Sequence, residues 1–76
     1  MTILAVGAAG TLAGEIVPAL VRRGAIVRGL VHRPEQMQLA KTRGASEVAI
    51  GDLSDPASLD AAMEGVEGVF HIGPVF

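Results

Sequence analysis

Residues 5–20 read AVGAAGTLAGEIVPAL, and this stretch places Gly7, Gly10 and Gly14 between an apolar run and an apolar helical pattern. Glycine destabilises the interiors of both strands and helices, so its use here indicates that the chain needs bare backbone at this point. Residues 2–6 (TILAV) predict a strand, and the apolar residues after Thr11 recur at helical spacing. The stretch therefore predicts a glycine-rich turn that leads from a strand into a helix.

The alternation of strand and helix continues along the chain. Apolar runs at 25–31, 46–50 and 68–72 predict three more strands, and residues 34–43 and 55–65 predict two more helices, opened by prolines. This order predicts an α/β fold with four parallel strands in the order 3-2-1-4 and three helices. That arrangement is the N-terminal part of a doubly wound, Rossmann-type sheet.

Composition limits the size and class of the protein. The chain has 76 residues, so one small domain spanning 1–76 is expected. A net charge of −2 gives no electrostatic reason to expect nucleic acid or an anionic membrane as a partner. The sequence has no cysteine, which excludes disulfides and thiolate metal sites and fits a cytoplasmic protein. It has no tyrosine either, so this chain supplies no tyrosine acid.

The glycine-rich turn has the chemistry of a phosphate site. Free N–H groups and the helix dipole at a helix N-terminus attract phosphate. Gly7 permits the tight turn, Gly10 lets a pyrophosphate approach the backbone, and Ala13 is small enough for the helix to pack on the strand. The pattern is G-x-x-G-x-x-A rather than the stricter G-x-G-x-x-G, and no P-loop lysine follows. The alternative is a turn that binds nothing.

The residues after the other strands are candidates for nucleotide contacts. An acidic residue after the second strand favours NAD, but His32 and Arg33 stand there, and Arg33 suits a 2′-phosphate. This favours NADP(H) over NAD(H), although Arg33 is equally explained as a solvated residue. Asp52 is suited to accept a hydrogen bond from the adenine amino group or to close its own turn. Leu53 is placed to pack near the ring, and Gly73 to let the ribose pass.

Two further sequence features have a functional interpretation that we do not favour. His71 lies on a strand that we expect to be buried, which predicts a packed core histidine rather than a catalytic residue or metal ligand. The G-x-x-G turn also resembles the loop of KH-type RNA-binding modules. A preceding strand, the alanines inside the turn and the acidic net charge all disfavour that alternative.

Three segments together resemble the N-terminal half of NmrA-like, atypical short-chain dehydrogenase/reductases. They are VGAAGTLAGEIVPALVRRG (6–24), VRGLVHRPEQ (27–36) and GDLSDPASLDAAMEGVEGVFHIGP (51–74). The resemblance implies a Rossmann fold that binds NAD(P)(H). Members of that family include NADPH-dependent reductases and catalytically silent redox sensors.

The resemblance also implies roles for individual residues. It matches Gly7, Gly10 and Ala13 to the pyrophosphate turn, with Thr11 and Leu12 as its backbone donors. The 2′-phosphate position is matched by either His32 or Arg33. The remaining matches are the adenine contact at Asp52 and Leu53, and the segment near the nicotinamide ribose at Gly73 and Pro74.

Nothing in the chain matches the Tyr-x-x-x-Lys pair of catalytic members, their later strands or their substrate-binding part. We therefore expect a truncated NAD(P)-binding half of an oxidoreductase that is not catalytically complete alone. A cofactor-sensing regulatory module and a folded remnant without a ligand are the alternatives. The fourth strand would be an open apolar edge, which predicts self-association.

Overall fold

Parallel strands and connecting helices alternate along the whole of the described chain. The computed structural model describes residues 1–52 and 54–72. The elements are β1 (Thr2–Val6), α1 (Ala13–Arg22), β2 (Ile26–Val31), α2 (Met37–Arg43), β3 (Glu47–Ile50), α3 (Pro56–Met63) and β4 (Gly68–His71), with a 3₁₀ turn at Pro34–Gln36.

The four strands form one parallel sheet in the order β3-β2-β1-β4, as predicted. Ala5 in β1 lies opposite Gly29 in β2 on one side and Phe70 in β4 on the other. Val31, the last residue of β2, lies opposite Ile50, the last residue of β3. The segments that follow β1, β2 and β3 therefore emerge at the same edge of the sheet, which is the edge where doubly wound folds bind ligands.

Side chains that alternate along the strands build a core on each face of the sheet. Ala5 points to the face covered by α1 and α2, where it packs in a cluster with Val17 and Val27. Leu4 points to the opposite face and packs in a cluster with Leu30 and with Ala62 of α3. Helices thus cover both faces, which is typical of a parallel sheet.

Small side chains allow α2 to lie close to β2 and to the turn after β1. A Cβ atom added to Gly29 would lie 3.0 Å from Cβ of Ala8, 3.3 Å from Cβ of Ala40 and 3.4 Å from Cβ of Ala45. These four residues leave no room for a larger side chain. Their packing sets the distance between the end of α2 and the glycine-rich turn.

The helix ends agree with the sequence signals at α3 and differ at α2. Asp55 caps α3 by accepting a hydrogen bond from Ala57 N at 3.2 Å, and Pro56 is the first helical residue. The predicted helix over 34–43 is instead a 3₁₀ turn followed by α2. In that turn Oε1 of Gln36 accepts from the backbone N–H groups of His32 and Arg33 at 3.0 Å each, which ties the turn to the end of β2. α1 continues through Pro18 as one helix.

β4 lies at an edge of the sheet, and its side chains are less covered than expected. Within residues 1–52 and 54–72 its pairing partner is β1 alone. Val69, Phe70 and His71 are all exposed. The prediction that His71 is a packed core residue is therefore wrong, because an outer strand has a neighbour on one side only. None of the helices in the described residues has the length and apolar character to cross a membrane.

Candidate functional site

The turn after β1 depends on two glycines. Gly7 has a φ of +86°, a conformation that side chains other than glycine rarely adopt. The N–H groups of Gly7 and Ala8 both donate to Leu30 O at 3.2 Å, which attaches the turn to β2. Gly10 N donates to Gly7 O at 2.9 Å, and a Cβ at Gly10 would lie only 3.2 Å from that oxygen. A side chain at either glycine would therefore distort the turn.

Four backbone N–H groups at this turn have no protein acceptor among the described residues. They belong to Ala9, Thr11, Leu12 and Ala13. Leu12 occupies the N-cap position of α1, where a serine or aspartate would offer a side-chain acceptor, and it makes no capping bond. The start of α1 thus presents unpaired donors and the positive end of its dipole. This is the donor set that a phosphate group requires.

The opposite side of the turn is held by an arginine that sequence reasoning missed. Nη1 of Arg43 donates to Ala8 O at 2.9 Å and to Gly10 O at 2.6 Å. A Cβ added to Gly14 would lie 3.5 Å from the guanidinium, an ordinary van der Waals distance, so the guanidinium also lies against the first turn of α1. In the sequence Arg43 resembles any cation in the last turn of a helix, and no local signal points to the glycine-rich turn.

His32 and Arg33 follow β2 and are both exposed. The backbone of Arg33 is extended, with φ −132° and ψ 147°. Its guanidinium makes no hydrogen bond or ion pair with the described residues, whereas Nε2 of His32 lies 3.6 Å from Oδ2 of Asp52. The two candidates for the 2′-phosphate contact therefore differ, because of the two only Arg33 has a side chain without a partner among the described residues.

Asp52 forms the turn that precedes α3. Its Oδ1 accepts from Ser54 N at 2.9 Å and from Ser54 Oγ at 2.8 Å. These two bonds, together with the nearby imidazole of His32, hold the pKa of the Asp52 carboxyl below its ordinary value. Ser58 fixes the same loop by accepting from Asp52 N at 3.1 Å. Leu53 and Gly73, the other predicted contacts at the strand ends, lie outside the described residues.

The sequence agrees with one family over nearly its whole length. The model of the NmrA-like family matches residues 1–74. The chain belongs to the NmrA-like family. Its Rossmann-type fold is the one that the resemblance implied, with the predicted sheet order and three helices that alternate with the strands.

Relatives of this NmrA-like chain are much longer than the chain itself. It is 44% identical over 72 residues to "Sterol demethylase protein B" of Methylococcus capsulatus, and the match covers 93% of the chain but 21% of that relative. Among solved structures, a putative NAD-dependent epimerase/dehydratase from Bacillus halodurans superposes with a TM-score of 0.86 at 26% identity. That match covers 100% of the chain and 36% of the solved protein.

A second solved relative contains a nucleotide. A short-chain dehydrogenase/reductase superfamily protein from Agrobacterium tumefaciens, crystallised with bound NAD, is 36% identical with a TM-score of 0.75. The match covers 100% of the NmrA-like chain and 21% of that protein. Both solved relatives share the Rossmann-type arrangement of this chain over its whole length. In the described part of the chain no His, Asp or Glu cluster has the arrangement of a metal site.

Proposed function

We propose that this NmrA-like chain binds a nicotinamide dinucleotide with its pyrophosphate at the turn after β1. The observation that carries the proposal is the set of four unpaired N–H groups, on Ala9, Thr11, Leu12 and Ala13, at the positive end of α1. The relative with bound NAD supports it, since the match covers the whole of this chain. Gly7 and Gly10 keep the approach to these donors free of side chains.

NADP(H) is the preferred cofactor in this proposal, and Arg33 binds its 2′-phosphate. Arg33 is exposed, carries a permanent charge and has no partner among the described residues. Its planar guanidinium is suited to a phosphate group. His32 is the weaker candidate because its imidazole faces Asp52 at 3.6 Å. NAD(H) remains the alternative cofactor.

The proposed adenine and ribose contacts come from residues that follow the strands in the sequence. Asp52 is the proposed partner of the adenine amino group through Oδ2, which accepts no hydrogen bond from the described residues and has His32 Nε2 3.6 Å away, since Oδ1 is already bound by Ser54. Leu53 is proposed to pack on the ring and Gly73 to lie beside the nicotinamide ribose, both on the family resemblance alone. The parallel strands β2 and β3 support the adenine assignment by bringing His32 and Asp52 to one edge.

Catalysis is proposed to need residues other than those of this chain. None of the 76 residues is tyrosine, so the Tyr-x-x-x-Lys pair of catalytic relatives has no counterpart. The match to "Sterol demethylase protein B" covers 21% of that protein. We therefore propose a cofactor-binding half of an oxidoreductase. We also propose that a second copy pairs with it along β4, whose exposed Val69 and Phe70 leave an apolar edge.

Calorimetric titration with NADPH, NADH and 2′-phospho-AMP tests the cofactor assignment. We expect wild-type protein to bind NADPH and 2′-phospho-AMP more tightly than NADH. Arg33→Ala should weaken both 2′-phosphorylated ligands about tenfold or more, the scale of one charged hydrogen bond, and leave NADH unchanged. Arg23→Ala is the matched control, because it removes an equal exposed charge at the far end of α1. Absence of binding to all three ligands would contradict the proposal.

A further inference from the structure

The turn after β1 is supported from behind by a side chain from another helix. We infer that Arg43 is a positioning residue of the dinucleotide site, which holds the peptide planes of the turn so that Ala9 and Thr11 direct their N–H groups toward the pyrophosphate. This inference rests on the proposed function. It adds a residue to which the family resemblance assigned no role.

The geometry follows from the planarity of the peptide bond. In a trans peptide the carbonyl of one residue and the N–H of the next point in opposite directions. None of the described peptide bonds is cis. Arg43 Nη1 attracts the carbonyl oxygens of Ala8 and Gly10, at 2.9 and 2.6 Å. The N–H groups of Ala9 and Thr11 therefore point away from the guanidinium, and both lack an acceptor among the described residues.

Close packing brings Arg43 into this position. It is the last residue of α2, and the contacts among Gly29, Ala8 and Ala40 draw that helix against the turn. The guanidinium also lies beside Gly14 in the first turn of α1. The side chain of Arg43 is half-buried, so its charge is less screened than that of a fully exposed arginine.

The same contact removes a source of repulsion. Carbonyl oxygens that turned toward a bound pyrophosphate would repel its negative charge, and the two bonds from Arg43 keep those oxygens on the other side of the turn. The guanidinium also adds a full positive charge behind the donors, in the same sense as the dipole of α1. Arg43 should thus strengthen binding of the pyrophosphate, which NADH and NADPH share, and leave recognition of the 2′-phosphate unaltered.

Calorimetric titration of four proteins with NADH and NADPH tests the inference. They are the wild type, Arg43→Ala, Arg43→Lys and Lys41→Ala, each measured below its own melting temperature. Arg43→Ala should bind both cofactors about tenfold more weakly, and by the same factor, because the turn is no longer held in its binding conformation and a positive charge behind the donors is lost. Arg43→Lys should recover part of the affinity. Lys41→Ala is the control, since it removes an equal charge from an exposed position on the same helix.

A nuclear magnetic resonance titration with inorganic pyrophosphate separates positioning from general stability. In the wild type the amide signals of Ala9 and Thr11 should shift as pyrophosphate is added. In Arg43→Lys, which retains the charge, these shifts should shrink while the amide signal of Ser54 stays where it is in the wild type. The Ser54 signal reports that the neighbouring loop keeps its bond to Asp52.

The outcomes distinguish the inference from the function on which it rests. Equal affinities of wild type and Arg43→Ala for both cofactors would overturn the role of Arg43 and leave the dinucleotide site in place. Wild-type protein that binds neither cofactor would overturn both. If Arg43→Ala does not fold, unchanged pyrophosphate shifts at Ala9 and Thr11 in Arg43→Lys would overturn the inference.

Discussion

Asp52 and His32 face each other across the ends of two neighbouring strands, with 3.6 Å between Oδ2 of Asp52 and Nε2 of His32. The strands β2 and β3 are parallel and in register up to their last residues, so the residues that follow them share one edge. Ser54 binds the other carboxylate oxygen of Asp52. The carboxylate is therefore held between a turn and an imidazole at the proposed adenine position.

The pKa of Asp52 predicts how this turn responds to acid. Hydrogen bonds from Ser54, and then His32, place the pKa of the folded-state carboxyl below its ordinary value of 3.8. Because the ionised form is favoured by folding, its stabilising contribution is present above pH 3.8 and is lost as the pH falls through the lowered value. Asp52→Asn should reduce the free energy of unfolding at pH 7 and leave it unchanged in strong acid, as measured by urea denaturation.

Asp60→Asn is the control for that experiment, because it removes the same charge from an exposed position on α3. The pKa of Asp52 can also be read directly from its carboxyl carbon shift. A value at or above 3.8 would show that Ser54 and His32 do not stabilise the ionised form.

Gly29→Ala should destabilise the sheet on the side of α1 and α2. The new Cβ would lie 3.0 Å from Cβ of Ala8, closer than the packing permits. Overpacking of this kind costs about 1–3 kcal/mol. Gly68→Ala is the matched control in β4, where the nearest atom is 4.0 Å away, and we expect a change within about 0.5 kcal/mol. Equal free energies of unfolding for the two variants in urea would refute the close-packing argument.

Arg28 should stabilise the protein through its hydrogen bonds to carbonyls at the end of α3 rather than through its ion pair with Glu47. Its Nη1 donates to Ala62 O at 2.7 Å and to Glu64 O at 2.6 Å, which satisfies carbonyls at the end of that helix. Its Nε lies 3.3 Å from Glu47 Oε1, but the Glu47 side chain is 54% exposed and that of Arg28 only 17%. Arg28→Met should cost about 2 kcal/mol and Glu47→Gln under about 1 kcal/mol. Urea denaturation compares them, and the opposite ranking would contradict the role of the carbonyl contacts.

Pairing of two copies along β4 should depend on concentration. Within residues 1–52 and 54–72 the outer side of β4 pairs with no other strand, and its exposed Val69 and Phe70 add an apolar surface, which together form a template for another strand. Sedimentation velocity should show the mean mass of the wild type rising with concentration, and Val69→Lys should abolish that rise. Leu39→Lys is the control, because it places the same charge at a similarly exposed apolar position on α2. Its mean mass should still rise with concentration. A monomer at every concentration would rule out the proposed pairing.

The strands, their order and the glycine-rich turn could be predicted because their signals are local. Apolar runs mark the strands, and strand–helix alternation permits few sheet orders. Gly7 could be predicted in the same way, because a glycine directly after a strand indicates a tight turn. The structure gives Gly7 a φ of +86°, a conformation that suits glycine. His71 was assigned to the core wrongly: the predicted strand order already placed β4 at an edge, but the apolar run around His71 does not reveal how little of that strand the helices cover. Ala9 was missed as a donor because nothing in its side chain distinguishes it from other alanines in the turn.

The sequence by itself determined which elements form and what chemistry follows each strand, since periodicity and turn preferences act over a few neighbouring residues. Only the tertiary structure decided which side chains meet. Arg43 reaches Ala8 and Gly10 from 35 and 33 residues away, and it does so because Gly29 and the surrounding alanines let α2 approach the turn. His32 and Asp52 likewise meet only because parallel pairing brings the ends of β2 and β3 together. Such contacts depend on the distances between packed elements, which no single stretch of the chain contains.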